Sequence, residues 1–126
     1  MPCLRYTVKV DHHGGEPKYP IGWPSLTWTP APPLDWTGKQ ALTFWVYPTS
    51  TRAALPPRAI NFSLRSAGGD SFSTPLGLKL NEWQQVRVPL AGKRLNAVNY
   101  LHFFVEEAVY NHGDEVSFVL DDLRVE

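Results

Sequence analysis

Residues 42–48 read LTFWVYP, and their alternation decides the fold. Successive side chains on a strand point to opposite faces. With Leu42, Phe44 and Val46 turned into a core, Thr43, Trp45 and Tyr47 face outward. Isolated apolar side chains on a surface are ordinary, but two large rings on one strand face are not. The outward pair therefore needs a reason.

The rest of the chain repeats the short alternating pattern. Residues 4–10 (LRYTVKV) alternate apolar with polar and stop at DHHGGEP. Residues 59–65 place Ile60, Phe62 and Leu64 inward, and 85–90 place Val86 and Val88 inward. Residues 100–106 and 116–125 complete the set, joined by the turn-rich NHGDE. Two weaker strands are expected within 72–80 and within the proline-broken 19–30, since prolines belong at strand edges or in loops. Gly, Pro, Asn and Asp punctuate these runs, and no long segment carries helical periodicity with caps. Seven or eight strands predict an all-β fold, two antiparallel sheets packed as a β-sandwich.

The chain of 126 residues suits one domain spanning 1–126, with 43% hydrophobic and 19% charged residues, the balance of a folded globular protein. Lys plus Arg and Asp plus Glu are equal at 12 each, and no basic stripe offers a phosphate footprint, so nucleic acid is not an expected partner. No apolar run approaches the roughly 20 residues of a membrane helix, and no membrane partner is expected. The single Cys3 rules out an intramolecular disulfide and a Cys-based zinc site. The start, MPCLRYTVKV, lacks the basic flank and apolar run of a signal peptide and enters a strand almost at once. The expectation is a domain cut from a longer chain.

A series of pieces then carries a resemblance. They are DWTG at 35–38, ALTFWVYP at 41–48, INFSLRS at 60–66, NEWQQVRVPL at 81–90, YLHFFVEE at 100–107 and FVLDDLRVE at 118–126. In this order they resemble the jelly-roll carbohydrate-binding modules of the galactose-binding-like group, which accompany polysaccharide-degrading enzymes. The resemblance implies a jelly-roll sandwich, a polysaccharide or oligosaccharide ligand, other domains of a parent enzyme as partners, and an extracellular or periplasmic setting. It also implies a structural calcium with Asp121 as a ligand, for which Asp11, Glu16, Asp114 and Asp122 are generic companions. It makes Trp36 and Trp83 buried structural residues. The further N-terminal strand usual in such modules, with its calcium-binding Glu, has no counterpart before Cys3.

The outward sets now gain a use. Arg5, Asn61, Arg65, His102, Phe104 and Glu106 alternate outward on their strands, and the implied strand order places them beside Trp45 and Tyr47 on one face. Rings that stack on the apolar face of a sugar, set among planar hydrogen-bonding groups, form a glycan surface. Trp45 and Tyr47 are the expected platform, Arg65, Asn61 and His102 the hydroxyl or anion partners, and Arg5 and Glu106 the margins. A different pairing of strands would bring in Gln85 and Arg87 instead. Trp23, Trp28 and Tyr19 line one end of a cleft or lie over the sandwich; the residues do not choose. His12 and His13 are adjacent on extended chain, point apart, and read as a solvated turn, as does His112.

The expected role is non-catalytic. Asp121 and Asp122 are sequence neighbours whose strand alternation sends them to opposite faces, a poor glycosidase pair. No nucleophile motif, phosphate loop or cofactor fingerprint is present. Two other classes stay open: a structural or protein-docking sandwich, since interfaces also favour aromatics and Arg, and a small polysaccharide lyase assembled from Tyr6, Tyr47, His102, Arg5 and Arg65.

Overall fold

The computed structural model describes residues 3–10 and 25–126. Its strands are β1 (Leu4–Lys9), β2 (Ser25–Trp28), β3 (Ala41–Ser50), β4 (Ile60–Ser66), β5 (Ser71–Leu76), β6 (Gln84–Pro89), β7 (Val98–Phe104) and β8 (Glu115–Val125). One 3-10 turn, Glu107–Val109, joins the last two. The expected strand positions all recur; the one within 72–80 runs from Ser71 to Leu76, and the one within 19–30 covers Ser25–Trp28. Tyr19, Trp23, His12, His13, Asp11 and Glu16 lie outside the described residues.

Sheet I has the order β1-β8-β3-β6 and sheet II the order β2-β7-β4-β5, with every pairing antiparallel. The pairs β4 with β5, β3 with β6, β2 with β7 and β1 with β8 nest inside one another. A single long hairpin rolled over so that successive strands change sheet has this pattern, and it is the jelly-roll sandwich. Among the described strands only β4 and β5 follow one another within one sheet. Between them Gly68 takes the left-handed backbone that the tight reversal requires (φ 69°).

Alternation fills the space between the sheets. Leu42, Phe44 and Val46 from β3 meet Phe62 and Leu64 from β4 and Leu101 and Phe103 from β7, all buried. Phe103 sits edge-on to Phe44 at 5.4 Å and tilted against Phe62 at 5.1 Å, spacings at which aromatic pairs contribute beyond area burial. Trp36 closes one end, buried as the resemblance implies, with its backbone N–H on the Leu95 carbonyl. Tyr110 closes another, its hydroxyl donating to the buried carbonyl of Ala59. Pro75 and Pro89 obey the same logic in β5 and β6, the edge strands, and Pro48 in the inner strand β3 lies past the last β3–β6 pair, Val46 with Gln84.

Candidate functional site

The expectation of one composite face is corrected by the pairing. β3 is flanked by β8 and β6, never by β4 or β7. Arg5, Trp45 and Tyr47 therefore lie on the outer face of sheet I. Asn61, Arg65 and His102, with Glu106 just beyond β7, lie on the outer face of sheet II. The whole core separates the two groups. A rolled hairpin sends consecutive strands to opposite sheets, so outward residues of β3 and β4 point away from each other.

On sheet I, Trp45 stands across from Asp121 of β8 and Gln85 of β6. Thr43 stands across from Arg87, so Gln85 and Arg87 take the places that the alternative pairing gave them. Trp83, expected to be buried, is 49% exposed, and Trp45 is 37% exposed. The Trp83 ring lies 5.4 Å from that of Tyr47. What holds the turn before β6 is Gln84 rather than burial of its neighbour. The Gln84 side chain accepts the Lys79 N–H and donates to the Lys79 and Glu82 carbonyls. Asn81, at a left-handed φ of 63°, donates its N–H to the Pro48 carbonyl on β3. The indole, backed by Tyr47, stays half exposed on a pinned turn.

The two aspartates also depart from expectation. The register between β3 and β8 shifts between Thr43 and Trp45, leaving an extra residue in β8. Asp122 absorbs it at φ 54°, a conformation that Asp tolerates better than most residues. The bulge breaks the alternation, and Asp121 and Asp122 both line one shallow cleft of about 540 Å³ with Trp45 and Trp83. Asp121 Oδ1 accepts the Asp122 N–H at 2.9 Å, and Asp122 Oδ1 accepts from Arg124 Nε at 2.7 Å. Among the described residues no cation pairs with Asp121. Nor do three His, Cys, Asp or Glu side chains converge on one point among them. Asp114, another acid considered for calcium, pairs with Arg52 at 3.0 Å.

Sheet II carries a different surface. Tyr100, His102 and Phe104 form a stripe along β7, with ring centroids 5.3 and 5.0 Å apart. The Tyr100 hydroxyl and His102 Nδ1 share a hydrogen bond of 2.9 Å. The Arg65 guanidinium lies 4.6 Å over the Tyr100 ring. Partial burial, and secondly the charge of Arg65, push His102 below its ordinary pKa, which keeps the ring neutral at pH 7. Asn61 faces outward but is buried, its amide donating to Glu106 Oε1 at 3.0 Å. Glu106 also faces Arg58 at 3.8 Å. Of the lyase parts, Tyr6 is buried in the core, and Tyr47 and Arg5 are on the opposite sheet. Tyr100, which sequence reasoning passed over, is the tyrosine beside His102.

A third feature lies at the edge of the sandwich. Leu4, Leu26, Trp28, Leu101, Phe103 and Leu123 line an apolar cavity of about 530 Å³ between the sheets. Trp28 is 45% exposed at its mouth. His112 is exposed in the turn before β8.

No protein-family model matches this chain, and a search of curated proteins finds no match.

Proposed function

We propose that this domain is a non-catalytic glycan-binding module whose platform is the outer face of sheet I. The observation that carries the reading is the shared cleft of Trp45, Trp83, Asp121 and Asp122, with two indoles exposed on a rigid sheet and turn. Flat rings bury the C–H face of a pyranose, and carboxylates and amides beside them bond its hydroxyls. Asp121, free of any cation among the described residues, and Gln85 supply those groups. Because the cleft's own charge is negative, the ligand is an uncharged polysaccharide; a uronate or sulfate would meet Asp121 with like charge. Tyr47 backs Trp83, and Arg5 stands at the margin one row away.

The jelly-roll strand order agrees with the resemblance to carbohydrate-binding modules and supports an accessory role beside a larger secreted enzyme. The structural calcium that the resemblance implies at Asp121 is the competing use of that carboxylate: among the described residues no third acidic or imidazole side chain converges on it, and Ca²⁺ needs six to eight oxygens, so Asp121 is assigned to the sugar. A calcium-dependent rise in melting temperature that a chelator reverses and Asp121→Asn abolishes would overturn that assignment.

Affinity electrophoresis tests the platform, using wild type, Trp45→Ala and Trp83→Ala against neutral β-glucan, xylan and mannan. Retardation by one neutral polymer, lost in both variants, is the expected result. An equal shift in wild type and variants contradicts it, and so does release of new reducing ends, which marks a hydrolase. The apolar edge at Trp28 favours a second reading, in which that edge meets another domain of the parent protein. A folded wild type that no polymer retards, and that self-associates through an interface removed by Trp28→Ser, supports that reading.

A further inference from the structure

We propose that the outer face of sheet II is a second, independent binding surface, and that it takes an acidic polysaccharide through uronate carboxylates or sulfate esters. Arg52, Arg58, Arg87, Arg94 and Arg124 each face a carboxylate. Among the described residues two arginines face none, Arg5 on sheet I and, on sheet II, Arg65. It is exposed, yet it is not loose, because its guanidinium is laid over the Tyr100 ring at 4.6 Å. The cation–π contact holds the guanidinium in place and leaves its N–H groups without a carboxylate among the described residues, the arrangement suited to bidentate capture of a planar or tetrahedral anion.

The neighbours extend that anchor into a surface. Tyr100, His102 and Phe104 recur at every second residue of β7, so their rings form one line running away from Arg65. At about 3.3 Å of rise per residue the line spans roughly 13 Å, long enough for more than one sugar ring. Across the sheet, Thr27, His102, Ser63 and Ser73 share one row through four strands, which sets hydroxyls on both sides of the imidazole. The Tyr100 hydroxyl and His102 Nδ1 satisfy each other. In a neutral ring that accepts from Tyr100, Nε2 carries the proton and donates outward. Among the described residues the carboxylate of this face is Glu106, already held by Asn61 and Arg58, so its charge does not repel an anion at Arg65. The Trp45 cleft of sheet I holds an unpaired carboxylate, whereas the ring line of sheet II starts at an unpaired guanidinium. The two sites therefore select ligands of different charge.

The test uses the whole chain in affinity electrophoresis and titration calorimetry. The probes are polygalacturonate, chondroitin sulfate and the neutral polymer panel, at two salt concentrations. The variants are Arg65→Gln, Arg65→Lys, Phe104→Ala and Trp45→Ala. Wild type and Trp45→Ala are expected to bind an acidic polymer, more weakly in high salt. Arg65→Gln is expected to lose about tenfold or more, as removal of a charge-assisted pair does. Arg65→Lys keeps the charge but not the fork and is expected to lose most of the affinity. Retardation by the uronate polymer alone or by the sulfated polymer alone names the anion. The inference is overturned if neither acidic polymer binds, or if Arg65→Gln or Arg65→Lys binds like wild type. It is also overturned if Trp45→Ala removes acidic binding while Arg65→Gln does not. Binding of neutral polymers is read separately through Trp45, so the failure of one face is distinguishable from that of the other.

Discussion

Adjacent residues of β3 should respond oppositely to the same truncation. Phe44 is 1% exposed and touches Phe62 and Phe103 between the sheets. Phe44→Ala deletes that ring and leaves a cavity, at a cost of about 3–5 kcal/mol. Trp45 projects from the other side of the same strand, and Trp45→Ala costs about 1 kcal/mol, the span of strand propensity. For 126 residues, an unfolding entropy of about 2.1 cal/mol/K per residue gives about 0.26 kcal/mol/K. The midpoint should thus fall by roughly 15 °C for Phe44→Ala and about 4 °C for Trp45→Ala. Thermal melts followed by far-UV circular dichroism measure the midpoints and urea denaturation the free energies, with unchanged urea slopes certifying a common unfolded state. If Trp45→Ala destabilises as much as Phe44→Ala, the indole belongs to a second core and both the alternation and the platform reasoning fail.

Other perturbations probe the frame around the sites. A Cβ on Gly69 would meet the Arg94 carbonyl oxygen at 2.3 Å, whereas one on Gly68 meets nothing within 4 Å. Gly69→Ala should cost about 1–3 kcal/mol through overpacking, and Gly68→Ala about 1 kcal/mol through its left-handed backbone, by chemical denaturation. Asp122→Val puts a β-branched residue at φ 54°. It should cost about 1–2 kcal/mol and reshape the Trp45 cleft, read as a shift of the Trp45 indole resonance in NMR spectra. Tyr110→Phe strips the donor from the buried Ala59 carbonyl and should cost about 1–3 kcal/mol at neutral pH. Burial pushes the Tyr110 hydroxyl well above its ordinary range, with Arg52 opposing and Asp114 adding to the effect. The folded state thus favours the neutral phenol, and this stabilisation is complete below the unfolded pKa of about 10 and declines as pH rises above it. Wild-type stability should fall more steeply than that of Tyr110→Phe between pH 9.5 and 11; parallel curves would refute the assignment.

Local rules carried the strands and their inward faces, because period-two alternation is a property of each segment alone. Phe44, Phe62, Leu64 and Leu101 sit where that pattern sends them. Sheet membership was not legible in the same way. Which face Trp45 shares depends on whether β3 pairs with β4 or with β6 and β8, a choice made by residues 38 to 83 positions apart. The two-aspartate cleft was hidden for a different reason. Only the bulge at Asp122 places both carboxylates beside one indole, and a bulge leaves the sequence looking like an ordinary strand. Trp83 was misplaced because its turn is held by the Gln84 side chain, a bond that residue spacing does not announce. On sheet II, Tyr100 carried the same period-two signal as His102 and Phe104 and was readable from the strand alone.

The most direct test of the account is calorimetric titration of the neutral oligosaccharide identified by electrophoresis into wild type, Trp45→Ala, Trp83→Ala and the double variant. Trp45, at 37% exposure, offers roughly 90 Å² of the ~250 Å² an indole can bury. A sugar ring covering about 50 Å² of it gains about 1.3 kcal/mol, or roughly tenfold in Kd. Trp83 offers slightly more. The account predicts about tenfold weaker binding in each single variant and about hundredfold in the double, with all four proteins folded. Undiminished affinity in the folded double variant would contradict it.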